Sequence, residues 1–281
     1  IESGASRSVL NSGTLTHNSG TFLFNGAMDQ KVSTNSTGRF NNITLNKSNN
    51  DFVFIDSSTT VEGNLDITMG DNTRQCRPSA TSGAITVTGD VIVREGILLR
   101  AANDCTGAMS FGGLNLESGS IYAATSATTT ITNRLTGESH LWKNDGGTFN
   151  HNNGTVKFND NDHSAVKENT FYNVEVESNL GDYAVSFEAQ GGGGNPFTIL
   201  NNLTITRGDF ELVNANDTCD IHGQTIINGS SNSGARFNND KNQTATITHH
   251  GLVTIIQGTY HVEDGATVNM AGIRNVGGLV D

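Results

Sequence analysis

The feature that most constrains the fold of this chain is a phrase that occurs twice. Residues 12–25 read "SGTLTHNSGTFLFN" and residues 146–159 read "GGTFNHNNGTVKFN", so that His17 aligns with His151. Self-similarity at a fixed spacing is typical of repeat architectures. The chain is therefore predicted to repeat one unit that is about half its length.

The two copies can be aligned over most of their length. Residues 40–45 ("FNNITL") match residues 171–176 ("FYNVEV"), and the small changes of spacing fall between strand-like segments. Repeat proteins accept such insertions in the connections between their structural units. We therefore predict that residues 1–281 form a single unit made of two diverged tandem copies, about 1–138 and 139–281.

Within each copy lies a shorter repeat, in which aliphatic and polar residues alternate and a glycine or asparagine closes the segment. Alternation with a period of two places the aliphatic side chains on one face of a β-strand, and Gly and Asn tolerate the positive φ of sharp corners. One coil cannot bury its apolar face alone, so neighbouring coils must stack in parallel. The sequence predicts an all-β parallel β-helix, or β-solenoid, of roughly ten to twelve coils. These segments are "GNLDITMG" at Gly63, "GDVIVREGILL" at Gly89, "GGLNLESGSIYA" at Gly112, "NNLTITRGDFEL" at Asn201, "HGQTIINGS" at His222 and "HGLVTIIQGTYHV" at His250.

The charge of the chain bears on its partners. The formal net charge is −12 at pH 7, the pI is near 5.0, and the 16 Lys and Arg residues are scattered along the chain. Binding to phosphate backbones needs clustered basic residues, so nucleic acid is not expected as a partner. No apolar run approaches the roughly 20 residues that span a bilayer, so membrane insertion is not expected either.

The repeats resemble those of a known class of proteins. Phrases such as "GGTFNHNNGTVKFN", "TFYNVEV" and "GNLDITMG" are similar to the repeat units of large bacterial surface proteins with right-handed parallel β-helix shafts, which include filamentous-haemagglutinin-like and autotransporter adhesins. The resemblance covers nearly the whole chain. It implies a right-handed β-solenoid, an extracellular or cell-surface location and a structural or adhesive role, with an unidentified glycan or receptor as a possible partner. It carries over no catalytic residue and no cofactor.

The first and the last residues of the sequence both follow the repeat pattern. The first residues, "IESGASRSVLNSG", and the last, "GIRNVGGLVD", show no helix or irregular polar segment of the kind that covers the end of a solenoid. We therefore expect the partner of this chain to be itself, in a head-to-tail homopolymer, or the neighbouring repeats of a longer chain. The predicted function is a non-enzymatic extracellular structural protein, either a filament subunit or the shaft module of a surface adhesin.

A polysaccharide-degrading lyase or glycoside hydrolase is the alternative function, because pectate lyases and polygalacturonases also use the parallel β-helix. Glycosidase chemistry needs two carboxylates roughly 5 to 9 Å apart. The chain contains no adjacent Asp-Asp, no Gly-His-Gly and no Arg-x-Lys, the segments that carry activity in β-helical polygalacturonases. Since fold alone does not confer activity, no catalytic residue is predicted.

The three cysteines match no zinc or redox spacing. Cys76 and Cys105 each follow a strand-and-glycine segment on what should be adjacent coils, so that two protruding loops could bring them together. We predict a disulfide between them, which would fit an oxidising extracellular setting; the alternative is two separate thiols. Cys219 has no partner one coil away and is expected to be free or to pair between molecules.

Two groups of polar residues could bind metal. Asp160 and Asp162, in "FNDNDH", carry the oxygen ligands that calcium favours, but they fit no known calcium loop, and solvated corner residues are the simpler interpretation. His17 and His151 recur at one repeat position, yet neither has a second ligand at fixed spacing. No metal site is predicted, and the two histidines are expected at polar corners or outward strand positions.

Overall fold

All regular secondary structure that the structure describes is β. The computed structural model describes residues 9–11, 13–34, 38–48, 50–99, 105–160, 162–178, 184–188, 196–212, 218–231, 234–239, 244–262 and 264–281. No helix occurs among them, and accordingly none is long and apolar enough to cross a membrane. The strands are β1 (Val9–Leu10), β2 (Thr21–Asn25), β3 (Gln30–Ser33), β4 (Asn42–Asn46), β5 (Phe52–Phe54), β6 (Ser58–Val61), β7 (Leu65–Thr68), β8 (Gln75–Pro78), β9 (Ala84–Val87), β10 (Val91–Leu98), β11 (Met109–Phe111), β12 (Leu114–Glu117), β13 (Ser120–Ala123), β14 (Thr128–Ile131), β15 (His140–Asp145), β16 (Thr148–Asn150), β17 (Thr155–Phe158), β18 (Ser164–Lys167), β19 (Thr170–Phe171), β20 (Asn173–Glu177), β21 (Ala184–Glu188), β22 (Pro196–Ile199), β23 (Leu203–Leu212), β24 (Thr218–Ile221), β25 (Thr225–Asn228), β26 (Ala235–Asn239), β27 (Thr246–Gln257), β28 (Thr259–Val262), β29 (Thr267–Asn275) and β30 (Leu279–Val280).

The strands pair in parallel with strands of the next coil, and together they stack into a β-solenoid of about 10 turns. This confirms the predicted fold class. The contacts divide the chain into two compact units. The first comprises Ile1–Thr130 with Asn144–Gly154, and the second comprises Ile131–Lys143 with Thr155–Asp281. Each unit is described separately below, and the division into copies at about residue 138 stays a prediction.

In the first unit the inward positions of one sheet form continuous apolar ladders. β2, β4, β7, β10 and β12 pair in register, and one ladder across the last four of these strands consists of Ile43, Leu65, Val91 and Leu114. All four side chains are at most 1% exposed. Such side chains contribute roughly 1.5 to 3 kcal/mol each when fully buried. The alternating phrases of the sequence therefore form the ladders that they predict.

In the second unit the core contains a column of aromatic rings. Phe187, Phe210, Phe237 and Tyr260 lie on successive coils, with neighbouring ring centroids 4.4, 5.2 and 4.8 Å apart and ring planes 25°, 23° and 11° apart. The coil spacing of roughly 4.8 Å matches the separation at which offset rings stack favourably. Stacking of aromatic rings inside the core is thus a direct consequence of coil geometry.

Candidate functional site

The first copy of the doubled phrase forms a tight turn. The backbone N–H of Gly20 donates to the carbonyl of His17 at 2.8 Å, and the two residues between them, Asn18 and Ser19, have φ of 45° and 58°. Positive φ at both central positions defines a type I′ turn, which favours Asn and Gly. The His17 imidazole closes the turn, because its Nδ1 accepts a hydrogen bond of 3.2 Å from the N–H of Ser19.

The second copy repeats this geometry. Gly154 N–H donates to the His151 carbonyl at 2.9 Å, Asn153 N–H donates to His151 Nδ1 at 3.1 Å, and Asn152 and Asn153 have φ of 47° and 60°. Both histidines therefore act as turn-closing residues, at the polar corners that the sequence predicts. Burial lowers the pKa of His151, which favours the neutral imidazole that can accept this hydrogen bond.

The outward face of His17 belongs to a surface ion network. His17 Nε2 lies 2.9 Å from Glu62 Oε2, and Arg39 Nη1 lies 3.1 Å from Glu62 Oε1. The hydrogen bond from His17, followed by that from Arg39, lowers the pKa of Glu62. In the part of the chain that the structure describes, no group of three or more His, Cys, Asp or Glu side chains is arranged to hold a metal ion.

The predicted disulfide between Cys76 and Cys105 has no support in the structure, where both residues are buried thiols. Cys76 is an inward residue of β8, and the residue that stacks on it in the next coil is Leu98. Cys105 lies further along its coil, with its Sγ 3.7 Å from the carbonyl oxygen of Gly83. A disulfide requires Cα atoms within about 7 Å and facing Cβ vectors, whereas these two side chains occupy different points of their coils. Burial raises the pKa of both thiols.

Cys219 is also a buried thiol, and it is an inward rung of the second unit. It stacks between Phe197 of β22 and Ile247 of β27 and has no solvent exposure. A thiol in this position cannot reach another molecule without unfolding of the coil. The expectation of an intermolecular disulfide is therefore unsupported as well, and packing explains the residue.

The candidate calcium ligands Asp160 and Asp162 are held by protein groups. Asp160 is 4% exposed and accepts a hydrogen bond from the hydroxyl of Ser164. Asp162 forms an ion pair with Arg134 and accepts a hydrogen bond of 2.8 Å from the N–H of His163. The two carboxylates thus have separate partners. Asp162 is solvated as expected, whereas Asp160 is buried and not solvated. Asn161, between them, lies outside the described residues.

The outer face of the second unit carries a pocket of about 410 Å³. Pockets of this size are large enough for a small ligand. We call it the Glu188 pocket. Its lining residues are Ser139, His140, His163, Ser164, Ala165, Ser186 and Glu188.

The small side chains of Ala165 and Ser186 line the pocket between His140 and Glu188. His140, Ala165 and Ser186 are in register on successive coils, and Glu188 follows on the same strand as Ser186. Since Ala165 presents only a methyl group, the His140 ring reaches past it, and its Nε2 donates to Glu188 Oε1 at 2.6 Å. This hydrogen bond, followed by the charges of His140 and Lys167, lowers the pKa of Glu188. The carboxylate is therefore ionised at neutral pH.

Two further acidic side chains lie on the next coil beside the pocket. Glu211 is 1% exposed and accepts a hydrogen bond of 2.7 Å from the Ser186 hydroxyl. Asp209 is 2% exposed and forms a two-pronged ion pair with Arg236, with N···O distances of 2.7 and 2.6 Å. Buried carboxylates of this kind are retained only when they are paired. Both are therefore committed to structural contacts, and Glu188 is the accessible carboxylate of the site.

A buried polar line crosses the core of the second unit. Thr225 Oγ1 lies 2.8 Å from His249 Nδ1, and His249 Nε2 lies 2.9 Å from the hydroxyl of Tyr260. All three side chains are at most 2% exposed. Burial, with a smaller contribution from His250, lowers the pKa of His249 to about 4. The imidazole is therefore neutral, as a line of hydrogen bonds through an apolar core requires.

A buried ammonium group ties two coils of the first unit together. Lys47 is 1% exposed, and its Nζ donates to the carbonyl oxygens of Met28 at 2.8 Å and Gly26 at 3.4 Å and to Gln30 Oε1 at 3.0 Å. Three acceptors match the three N–H bonds of an ammonium group. Burial lowers the pKa of Lys47, while the charges of nearby aspartates oppose that shift.

Lys47, His249 and Glu188 were not predicted from the sequence. For the first two a signal was present, because alternation counted from Ile43 and Leu45 points Lys47 inward, and alternation counted from Ile247 does the same for His249. Glu188 had no such signal, since its site depends on which residues of separate coils come into register. Searches of known protein families, characterised proteins and solved structures returned no match to this chain.

Proposed function

We propose that the chain is a non-enzymatic extracellular structural protein, either a filament subunit that stacks head to tail or the shaft module of a surface adhesin. The observation that carries the proposal is an uncovered coil face at β29 and β30 in the second unit. The resemblance of the repeats to adhesin shafts supports the extracellular setting.

The uncovered face is both apolar and rich in backbone groups. Among the described residues, six of the ten exposed large apolar side chains lie between residues 252 and 280. Ile273, Val276, Leu279 and Val280 are 45, 59, 47 and 50% exposed. Clusters of this kind mark interaction sites. The far edge of β29 also offers N–H and C=O groups to a further parallel strand.

The same face fits a partner that is itself a coil. On its covered side β29 pairs with β27 over eight residue pairs, from Thr246↔Thr267 to Ile255↔Asn275. A further coil that used the same register would bury the exposed side chains in the way that β27 buries its own. Either a second molecule or the neighbouring repeats of a longer chain could supply that coil.

Sedimentation velocity with two matched variants tests the proposal. Val276→Asp places a charge on the uncovered face, whereas Leu200→Asp places one at a 39% exposed position elsewhere in the second unit. We expect the wild-type protein and Leu200→Asp to form larger species as concentration rises, and Val276→Asp to sediment as a monomer. A wild-type protein that stays monomeric at every concentration would eliminate the filament version.

A polysaccharide-degrading enzyme is the second candidate, and the Glu188 pocket is the observation that favours it. A retaining or inverting glycosidase needs one carboxylic acid to protonate the leaving group and a second carboxylate. The described carboxyl groups with a shifted pKa, Glu62, Asp71 and Glu188, are all shifted downwards, which suits a base and not an acid. Release of reducing ends or unsaturated products from a polysaccharide panel, abolished by Glu188→Gln, would favour this function over the structural one.

A further inference from the structure

Three polar groups that line the Glu188 pocket each donate a hydrogen bond within the protein. The Ser186 hydroxyl donates to Glu211, the Ser164 hydroxyl donates to Asp160, and His140 Nε2 donates to Glu188. A hydroxyl that has donated its hydrogen keeps acceptor lone pairs. What these groups can still offer to a ligand is therefore hydrogen-bond acceptance.

Glu188 carries the negative charge of the pocket lining. His140 occupies Oε1 of Glu188, so Oε2 of this half-buried carboxylate can accept from a ligand. The hydrogen bond from His140, followed by the positive charges of His140 and of Lys167, which is in register with Glu188 on the neighbouring strand, lowers the pKa of Glu188 and keeps the carboxylate ionised at neutral pH. Glu211 and Asp160 are further acidic groups nearby, and each is bound to a serine. A ligand that contacts Oε2 must therefore bring a donor, and a positively charged donor forms the stronger hydrogen bond.

The shape of the pocket selects among positively charged ligands. Its volume of about 410 Å³ exceeds what a bare ammonium group needs, and the Ala165 methyl gives it an apolar floor. A pyranose ring can lay C–H groups on such a floor while its hydroxyls donate to acceptors at the rim. An ammonium group next to ring hydroxyls therefore matches the pocket better than an alkyl amine, which brings one cluster of donors only.

We propose that the Glu188 pocket binds an amino sugar with a free, non-acetylated amine, whose ammonium group pairs with Glu188 and whose ring packs on Ala165. The inference goes beyond the proposed structural role and does not depend on it. It would give the module a means of attaching to a deacetylated amino-sugar polymer.

Isothermal titration with four small probes tests the site directly. The probes are glucosamine, N-acetylglucosamine, glucose and cadaverine, each added to the full chain at neutral pH. We expect glucosamine to bind at least about tenfold more tightly than each of the other three, a difference of about 1.4 kcal/mol. Glucose or N-acetylglucosamine binding as tightly as glucosamine would overturn the role of the charge. Cadaverine binding as tightly would overturn the role of the sugar ring.

Two variants and a control locate the binding. Glu188→Gln should weaken glucosamine binding at least about tenfold, since it replaces a charge-assisted hydrogen bond by a neutral one. Ala165→Leu should prevent glucosamine binding, because the larger side chain occupies the volume of the pocket. Glu175→Gln, which removes an outward carboxylate that pairs with Lys157, should leave it unchanged. Unchanged binding by a folded Glu188→Gln protein, or no glucosamine binding by the wild type, would refute the proposal even if Ala165→Leu failed to fold.

Discussion

A few inward positions of the core are occupied by polar residues that form hydrogen bonds. Thr225, His249 and Tyr260 form a hydrogen-bonded line through the second unit, and Lys47 holds three oxygens in the first. A polar group buried in an apolar ladder stabilises the fold only while it keeps the correct protonation state and all its hydrogen bonds.

His249 predicts acid sensitivity. Its pKa is about 4 in the folded chain against an ordinary value of 6.5, so the unfolded chain binds the proton first as pH falls. The stabilising contribution is complete above about pH 6.5 and is lost progressively towards about pH 4. Between about pH 7 and about pH 5 we expect the free energy of unfolding to fall by about 2 kcal/mol.

Urea unfolding of the wild type and two variants at both pH values checks this. His249→Phe should show a much weaker pH dependence, whereas His222→Gln, at an exposed corner, should keep the wild-type slope. A wild-type stability that does not change between the two pH values would contradict the assignment of His249 as a buried neutral imidazole.

Lys47→Met should destabilise the first unit. The variant keeps the length of the side chain but leaves the oxygens of Gly26, Met28 and Gln30 without their donor. Gln30 is buried, and a buried unsatisfied acceptor costs about 1 to 3 kcal/mol. Removal of a buried charge offsets part of this loss, so we expect a net decrease of about 2 kcal/mol in urea unfolding. Lys31→Met, at an outward position of the neighbouring strand β3, is the control and should change stability by less than about 0.5 kcal/mol. An equal effect of both variants would contradict the role of the ammonium group.

At the scale of elements, the corners determine which residues meet. Both copies of the doubled phrase form the same type I′ turn, with an imidazole that accepts from the backbone. A turn of this type reverses the chain within four residues. We infer that the phrase recurs because the strand that follows it in each copy is preceded by the same tight turn.

Asn153 tests the turn. Its φ of 60° is tolerated by Asn and Gly and opposed by β-branched residues. Asn153→Val should lower the melting temperature, with a cost of about 1 to 2 kcal/mol, while Asn153→Gly should leave it unchanged or higher. Thr155→Val introduces the same residue in the adjoining strand β17, where extended backbone accepts it, and should be close to neutral. Equal melting temperatures for the two valine variants would argue against the turn geometry.

The sequence was sufficient to predict the parts of the fold that depend on alternation. Ile43, Leu65, Val91 and Leu114 come into register because each coil contributes one short strand with its aliphatic residues on the same face. The disulfide predicted between Cys76 and Cys105, which the structure does not support, depended on positions along the coil, and alternation does not fix those. No spacing rule shows that Leu98 is the residue stacked on Cys76.

The Glu188 pocket could not be predicted from the sequence either, because alternation does not show which residues of separate coils come into register. It depends on His140 passing over Ala165 to a glutamate 48 residues further along the chain. An irregularity between His140 and Trp142 shifts the register of β15 against β18. Alternation fixes the face on which a residue lies, whereas the pairing of distant coils depends on such local irregularities.

The whole molecule is built by the addition of coils. A parallel β-solenoid has no intrinsic limit to its length, because each coil offers the next one the same backbone groups and a similar apolar face. The proposed assembly places a further coil on the exposed face at β29 and β30. Heterologous contacts of this kind produce open filaments when the two ends are complementary.

Negative-stain electron microscopy of the purified chain at high concentration tests the proposed head-to-tail assembly. We expect unbranched filaments with an axial repeat of roughly 50 Å, from about 10 turns per molecule at roughly 4.8 Å per coil. Filaments should be absent from Val276→Asp and present in Leu200→Asp. Dispersed single particles of the wild-type protein at every concentration would contradict the claim that this chain assembles head to tail.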